Sequence, residues 1–152
     1  MSYGNFTQGF YNIEHKEKYK GNNVPIYRSS WELRVMKFFD LTVNVIAWSS
    51  ERHVIPYQLP NENRIRRYFV DFYCEIKQND GAIKKFLVEV KPKSQSEPPS
   101  IPKSGRITKS YKSNAIAFAI NTFKWNAAIQ YAKSKGYEFK VINEDVIFNL
   151  TV

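Results

Sequence analysis

One cysteine, Cys74, and two histidines, His15 and His53, are all that this chain of 152 residues offers to disulfide or zinc chemistry. A lone cysteine closes no internal bridge, so the fold must be held by its core, and a reducing compartment suits it. The histidines are far apart and no Cys-x-x-Cys pair accompanies them, which sets zinc frameworks aside. Long apolar runs are missing too: AIAFAI at 115–120 is the longest and is too short to cross a bilayer. The N-terminus carries no apolar stretch of signal length, so a soluble protein without a membrane partner, not secreted by a standard signal, is expected. No internal repeat is visible, which excludes solenoids and propellers.

Acid is scarce relative to base. Fourteen Asp and Glu against 23 Lys and Arg leave a formal net charge of +9, an excess that suits a polyanion, nucleic acid before acidic proteins. Aromatics make up 16% of the chain and charged residues 24%, a balance that folds rather than staying disordered. The length fits one domain with one core.

Two segments carry the chemistry: RRYFVDFYCEIK and KKFLVEVKPK, joined by Gln78-Asn79-Asp80-Gly81-Ala82. Read as strands, they place Phe69, Asp71 and Tyr73 on one face and Val70, Phe72, Cys74 and Ile76 on the other. On the second arm Leu87, Glu89 and Lys91 share a face, opposite Phe86, Val88 and Val90. A two-residue Asp-Gly turn would set Asp71 across from Val90; a three-residue Asn-Asp-Gly loop with Gly81 left-handed sets it across from Glu89. The longer loop is favoured, because it alone puts the apolar sets on one face and the acids on the other. Two facing carboxylates repel unless a hard cation lies between them. Magnesium, for which manganese is expected to substitute, needs one or two carboxylates plus a carbonyl, water and phosphate. Asp71, Glu89 and the backbone carbonyl of Val90 are the expected ligands, with Lys91 orienting water or steadying developing charge.

Glu32 is the further candidate. It lies in IYRSSWELRVMKFFD, whose helical stripe continues through Val35, Met36 and Phe39. A glutamate entering an apolar stripe near two other acids points to a metal. Ser29 and Glu32 also have the spacing of a capping box, and that reading stands beside the metal one.

Residues 1–25 read as an irregular basic N-terminal arm, and strand candidates follow the helix at 43–49 and 54–59, the latter broken by Pro56. Residues 92–105, rich in Pro and Ser, read as a mobile basic loop beside the site. Lys93, Lys103, Arg106, Lys109 and Lys112 make this region a candidate phosphate-tracking surface. A helix is expected from Thr122 to Lys135, with Trp125, Ala128, Ile129 and Ala132 inward, Lys124 on a flank leaning toward the site, and Gly136 as the stop. Trp125 reads as core rather than as a base-stacking platform. The segment YEFKVI at 137–142 is a further strand, and a helical crossover before it favours a mixed sheet.

This order of helix with Glu, strand with Asp, strand with Glu-x-Lys, helix and strand resembles the PD-(D/E)xK nuclease superfamily. More narrowly, IYRSSWE, RYFVDFY, LVEVKPK and KWNAAIQYAKSKGYEF together resemble the head-completion nuclease family of T4-type tailed phages, with TnsA-type transposon-end nucleases as more distant relatives. The resemblance implies an α/β, restriction-endonuclease-like αβββαβ core, a central mixed sheet flanked by helices, in one domain over 26–152. It gives Glu32, Asp71, Glu89 and Lys91 the superfamily's acidic and lysine roles. Val70 departs from the proline of many relatives, but valine suits a strand interior better. The setting implied is DNA at the packaged phage head before tail joining, with head or neck proteins as partners, in the host cytoplasm during assembly and in the virion. A magnesium-dependent endodeoxyribonuclease is therefore expected. The rival is a non-catalytic plug or DNA-end binder of the phage head, and a weaker third is a module for acidic proteins. A pure binder gains little from facing carboxylates that repel phosphate.

Overall fold

The computed structural model describes residues 8–151, so the first seven residues of the expected arm, and Val152, lie outside the described residues. In chain order the elements are β1 (Gly9–Phe10), β2 (Ile26–Tyr27), α1 (Ser30–Leu41), β3 (Val45–Ser50), β4 (Val54–Tyr57), β5 (Arg66–Phe69), β6 (Phe72–Lys77), β7 (Ile83–Val90), α2 (Lys93–Ser96), α3 (Lys109–Lys135), β8 (Glu138–Ile142) and α4 (Glu144–Ile147), with a 3-10 turn at Lys16–Lys18. Four strands form the central sheet in the order β3-β6-β7-β8. β6 is antiparallel to β3 and β7, and β8 is parallel to β7. The crossover through α3 makes that last pairing possible. The αβββαβ order is thus α1, β3, β6, β7, α3 and β8, with β4 and β5 inserted as a separate two-stranded ribbon.

Both faces of the sheet are buried. On one, the α1 stripe of Val35, Met36 and Phe39 packs on Trp48, Phe72, Cys74, Val88 and Val90. On the other, Tyr73 and Leu87 meet Ile55, Tyr57 and Tyr68 of the ribbon, Val70 just after it, and Ala128 and Ala132 of α3. Each fully buried large side chain contributes roughly 1.5–3 kcal/mol. The division of the strands into one apolar and one polar face is corrected accordingly: Tyr73 and Leu87, on the supposed polar face, are buried. α3 and the ribbon form a second apolar layer that alternation alone does not reveal.

The hairpin register is the one expected, with Phe72 opposite Val88 and Lys77 opposite Ile83. Gly81 is left-handed at φ +86°, and the Gln78 N–H donates to the Ala82 carbonyl at 2.7 Å around the loop. The first arm is not one strand, however. The Val70 N–H donates to the His53 carbonyl at 3.1 Å, whereas the Asp71 carbonyl accepts from the Glu51 N–H at 3.0 Å. The chain changes partner between these residues, leaving β4 for β3. Facing parity shifts there too: Tyr68 and Val70 lie in the second core and Phe72 in the first. Val70 therefore does not share a face with Phe72.

α3 is longer than its C-terminal half suggests. It runs for 27 residues, starting behind Thr108, whose side chain accepts the Tyr111 N–H. The run AIAFAI has no polar face, so helical periodicity is invisible in it. Ile116 and Ile129 are 63% and 47% exposed, so Ile129 is not part of the inward stripe, which narrows to Ala128 and Ala132 with Trp125 partly buried beside them. Gly136 ends the helix in the left-handed conformation. β4 passes through Pro56, paired with Arg67, which a short ribbon tolerates at its edge.

Residues 9–20 are fastened to the domain by Asp40. This solvent-inaccessible carboxylate accepts from the Tyr11 hydroxyl at 2.7 Å and from the Glu14 and His15 N–H groups at 2.8 and 2.9 Å. Lys18 donates to the carbonyls of Asp40 and Thr42 at 3.0 and 2.8 Å, so this cation caps the C-terminal end of α1.

Candidate active site

Asp71 sits where the chain changes strand partner, a point at which its backbone is fixed from both sides. Its Oδ2 accepts the Val90 N–H at 2.8 Å, tying it to the strand that carries Glu89. Glu89, 7% exposed, accepts from the Tyr68 hydroxyl at 2.7 Å. Lys91 follows directly, its N–H bonded to the Ile142 carbonyl of β8 at 3.0 Å. Glu32 approaches from the first turn of α1, 8% exposed. Its N–H takes the Ser29 cap at 3.1 Å, while its carboxylate accepts the Arg28 N–H at 2.5 Å. This is a capping box displaced by one residue, since the return bond goes to Arg28 rather than to Ser29. Capping and site placement coexist in the same side chain.

The electrostatics join these residues into one group. Burial pushes the Asp71 carboxyl well above the ordinary aspartate range, and Glu89 and then Glu32 push it further, against the Val90 N–H and Lys91. Burial also raises Glu89, opposed by the Tyr68 hydroxyl, Lys91, the Asp71 N–H and Lys124. Glu32 is raised by burial and by Glu51, opposed by the Arg28 N–H and guanidinium and by Lys91. Lys91 therefore acts on all three acids. A site that disfavours its own negative charge is relieved by a cation.

Among the described residues no group of three or more His, Cys, Asp or Glu side chains is arranged to hold a metal ion. The donors present are oxygens from two buried acids and the strand backbone between Glu89 and Lys91, the hard set that magnesium takes together with waters and phosphate. The residues fit a cation that keeps part of its water shell, and they do not fit a closed structural site.

The expected basic residues divide. Lys124 leans toward the site, its ammonium 5.5 Å from the Tyr68 ring centre and 6.0 Å from that of Tyr57. Lys93 is engaged with α4, its N–H on Glu144 at 3.0 Å and its ammonium 3.6 Å from Asp145. Lys103 and Arg106 are exposed between α2 and α3, and Lys109 and Lys112 are exposed on the first turn of α3.

Three residues escaped the sequence reading. Tyr68 was hidden by the parity shift at Asp71, because strict alternation points it away from Glu89. Arg28 and Glu51, which form an ion pair, flank the site through backbone contacts that no motif records.

Residues 42–144 match the family model of the TnsA-like endonuclease N-terminal domain, a span that takes in Asp71, Glu89 and Lys91 and begins after α1. The chain is also 35% identical over 131 residues to the head completion nuclease of Enterobacteria phage T4, covering 84% of this chain and 85% of that protein. The mixed sheet and its helical crossover accord with that family, and the chain belongs to the TnsA-like endonuclease family.

Proposed function

We propose that the protein is a magnesium-dependent DNA endonuclease that acts in phage head completion, with Asp71, Glu89, Lys91 and Glu32 as its catalytic group. The observation that carries this is the convergence of two buried acids, Glu32 and Glu89, the half-buried Asp71 and one lysine at the point where the chain passes from ribbon to sheet. Asp71, Glu89 and the Val90 carbonyl would hold the cation. When bound, magnesium supplies polarisation of the scissile phosphate and a water of lowered pKa. Glu32 would accept a hydrogen bond from the attacking water, and Lys91 would balance the charge developing on the phosphate. The Val90 N–H and the Tyr68 hydroxyl hold the two ligand carboxylates in place and favour their ionised forms against the effect of burial.

The net charge of +9 favours DNA throughout, and Lys103, Arg106, Lys109, Lys112 and Lys124 are its proposed contacts, with Lys93 in a secondary role because of its acidic partners. The T4 relative's name supports action in head completion; head or neck proteins as partners, and a place in the host cytoplasm during assembly and in the virion, belong to the same proposal. No described helix is long and apolar enough to cross a membrane. The test is incubation with plasmid, linear and branched DNA in magnesium, manganese or chelator. Cleavage with either metal, lost with chelator and in Asp71→Asn, is expected; cleavage in chelator would refute the metal reading.

A further inference from the structure

Beside the acids lies a charged pair that the hydrolytic scheme does not use. The guanidinium of Arg28 is bonded to the Glu51 carboxylate. Each partner is tied through its main chain to a site residue, Arg28 donating its N–H to Glu32 and Glu51 donating its own to the Asp71 carbonyl. The side chains are 50% and 38% exposed, and an ion pair so open to water contributes little to stability, about 0–1 kcal/mol. Glu51 nevertheless has φ +52°, and it alone among the described non-glycine residues is left-handed. That conformation is costly for a side chain with a Cβ. A turn shaped for stability alone would carry glycine or asparagine there.

A groove of about 310 Å³ reaches the Glu51 side of this pair, lined by Asn22, Asn23, Ser50, Glu51, Arg52 and Phe69, and Arg28 meets it through its bond to Glu51. Arg52 spans it, donating to the Lys20 carbonyl at 2.5 Å. Phe69 is 47% exposed at the ribbon edge. A guanidinium, a half-exposed aromatic ring with the Arg67 guanidinium 5.5 Å from its centre, and side-chain amides are together what a nucleotide needs: a fork for phosphate, a platform for the base and donors for its edge.

We propose that this groove receives the nucleotide adjoining the scissile phosphate, with Arg28 binding that nucleotide's phosphate and Glu51 occupying Arg28 as a phosphate stand-in until DNA arrives. This rests on the nuclease reading above. Glu51 is the right length to hold the guanidinium ready, and its negative charge beside Glu32 and Asp71 is displaced when a substrate phosphate takes over the fork.

The test is binding of a fluorescent duplex to full-length protein carrying Asp71→Asn, without metal, across a salt series. Arg28→Ala should weaken binding about tenfold and reduce the slope of log affinity against log salt by about 1. Arg28→Lys should keep the slope but lose affinity, since lysine lacks the fork. Phe69→Ala should weaken binding about tenfold with the slope unchanged, because stacking carries no charge. Glu51→Asn should tighten binding severalfold, removing the competitor while suiting the left-handed turn. Parental affinity and slope in Arg28→Ala and Arg28→Lys, with no gain in Glu51→Asn, would overturn the groove while leaving the nuclease reading intact. Failure of the Asp71→Asn parent to bind DNA, together with failure of the unsubstituted protein to cut it with metal, would overturn both.

Discussion

Replacing Tyr68 with phenylalanine removes one oxygen atom and little else. The ring stays buried in the second core, so the apolar contribution of this position is kept and no cavity opens. What is lost is the hydroxyl that donates to Glu89 at 2.7 Å. A hydrogen bond to a charged acceptor contributes roughly 1.5–3 kcal/mol, and Glu89 is almost fully buried, so water does not readily replace the donor. That donor favours the ionised form of Glu89, which burial already disfavours; without it the carboxyl titrates higher and holds a cation less well. The metal concentration for half-maximal plasmid cleavage should rise roughly ten- to hundredfold at neutral pH. The acidic limb of the pH profile of kcat/KM should move upward, and higher pH with saturating metal should restore much of the activity. Melting temperature should change little, because Glu89 can take up a proton rather than remain an unpaired charge. An unchanged metal requirement together with an unchanged acidic limb would show that Tyr68 is only a packing residue.

The remaining predictions concern the other members of the site and the anchor at Asp40. Asp71→Asn should abolish cleavage while the melting temperature at neutral pH holds or rises. Because the Asp71 pKa is raised in the folded state, the apo parent should gain stability as pH falls from neutral toward the ordinary aspartate range, and the variant should lack that gain; loss of activity through unfolding would count against the site. Lys91→Ala should keep metal binding by titration while turnover falls by roughly a hundredfold or more, and near-normal turnover would reduce Lys91 to a surface charge. Glu32→Gln should depress cleavage at saturating magnesium with little thermal change, since glutamine can still accept the Arg28 N–H, whereas Ser29→Ala should cost about 1 kcal/mol of stability; full activity in Glu32→Gln would leave it as a cap alone. Burial tends to raise the Asp40 carboxyl, but the Glu14 N–H, the Tyr11 hydroxyl and the His15 N–H together hold it below the ordinary 3.8. Its charge therefore stabilises the fold above that value and ceases to as pH falls through the folded pKa. Tyr11→Phe should lower stability by roughly 1.5–3 kcal/mol and start acid unfolding at higher pH, as followed by circular dichroism.

Local pattern was enough to bring the candidate groups together. The hairpin register follows from the chemistry of Asn79-Asp80-Gly81, because only glycine takes the left-handed position cheaply, and with it Asp71 and Glu89 are brought to adjacent strands. The α1 cap at Ser29, the α3 stop at Gly136 and the buried stripe of Val35, Met36 and Phe39 likewise depend on neighbours within a turn or two. Three features depend on contacts between residues distant in sequence and were decided only by the tertiary structure. The exchange of strand partners at Asp71 requires β4 and β3 to compete for the same chain, and it is this exchange that turns Tyr68 toward Glu89. The second buried face exists because α3 crosses over the sheet, an event that leaves no alternation in β6 or β7 to read. Arg28 and Glu51 meet across 23 positions of sequence, and Asp40 accepts main-chain N–H groups 26 and 25 positions away. Side-chain periodicity reports which way a residue faces within its own element, and not which element will come to lie against it.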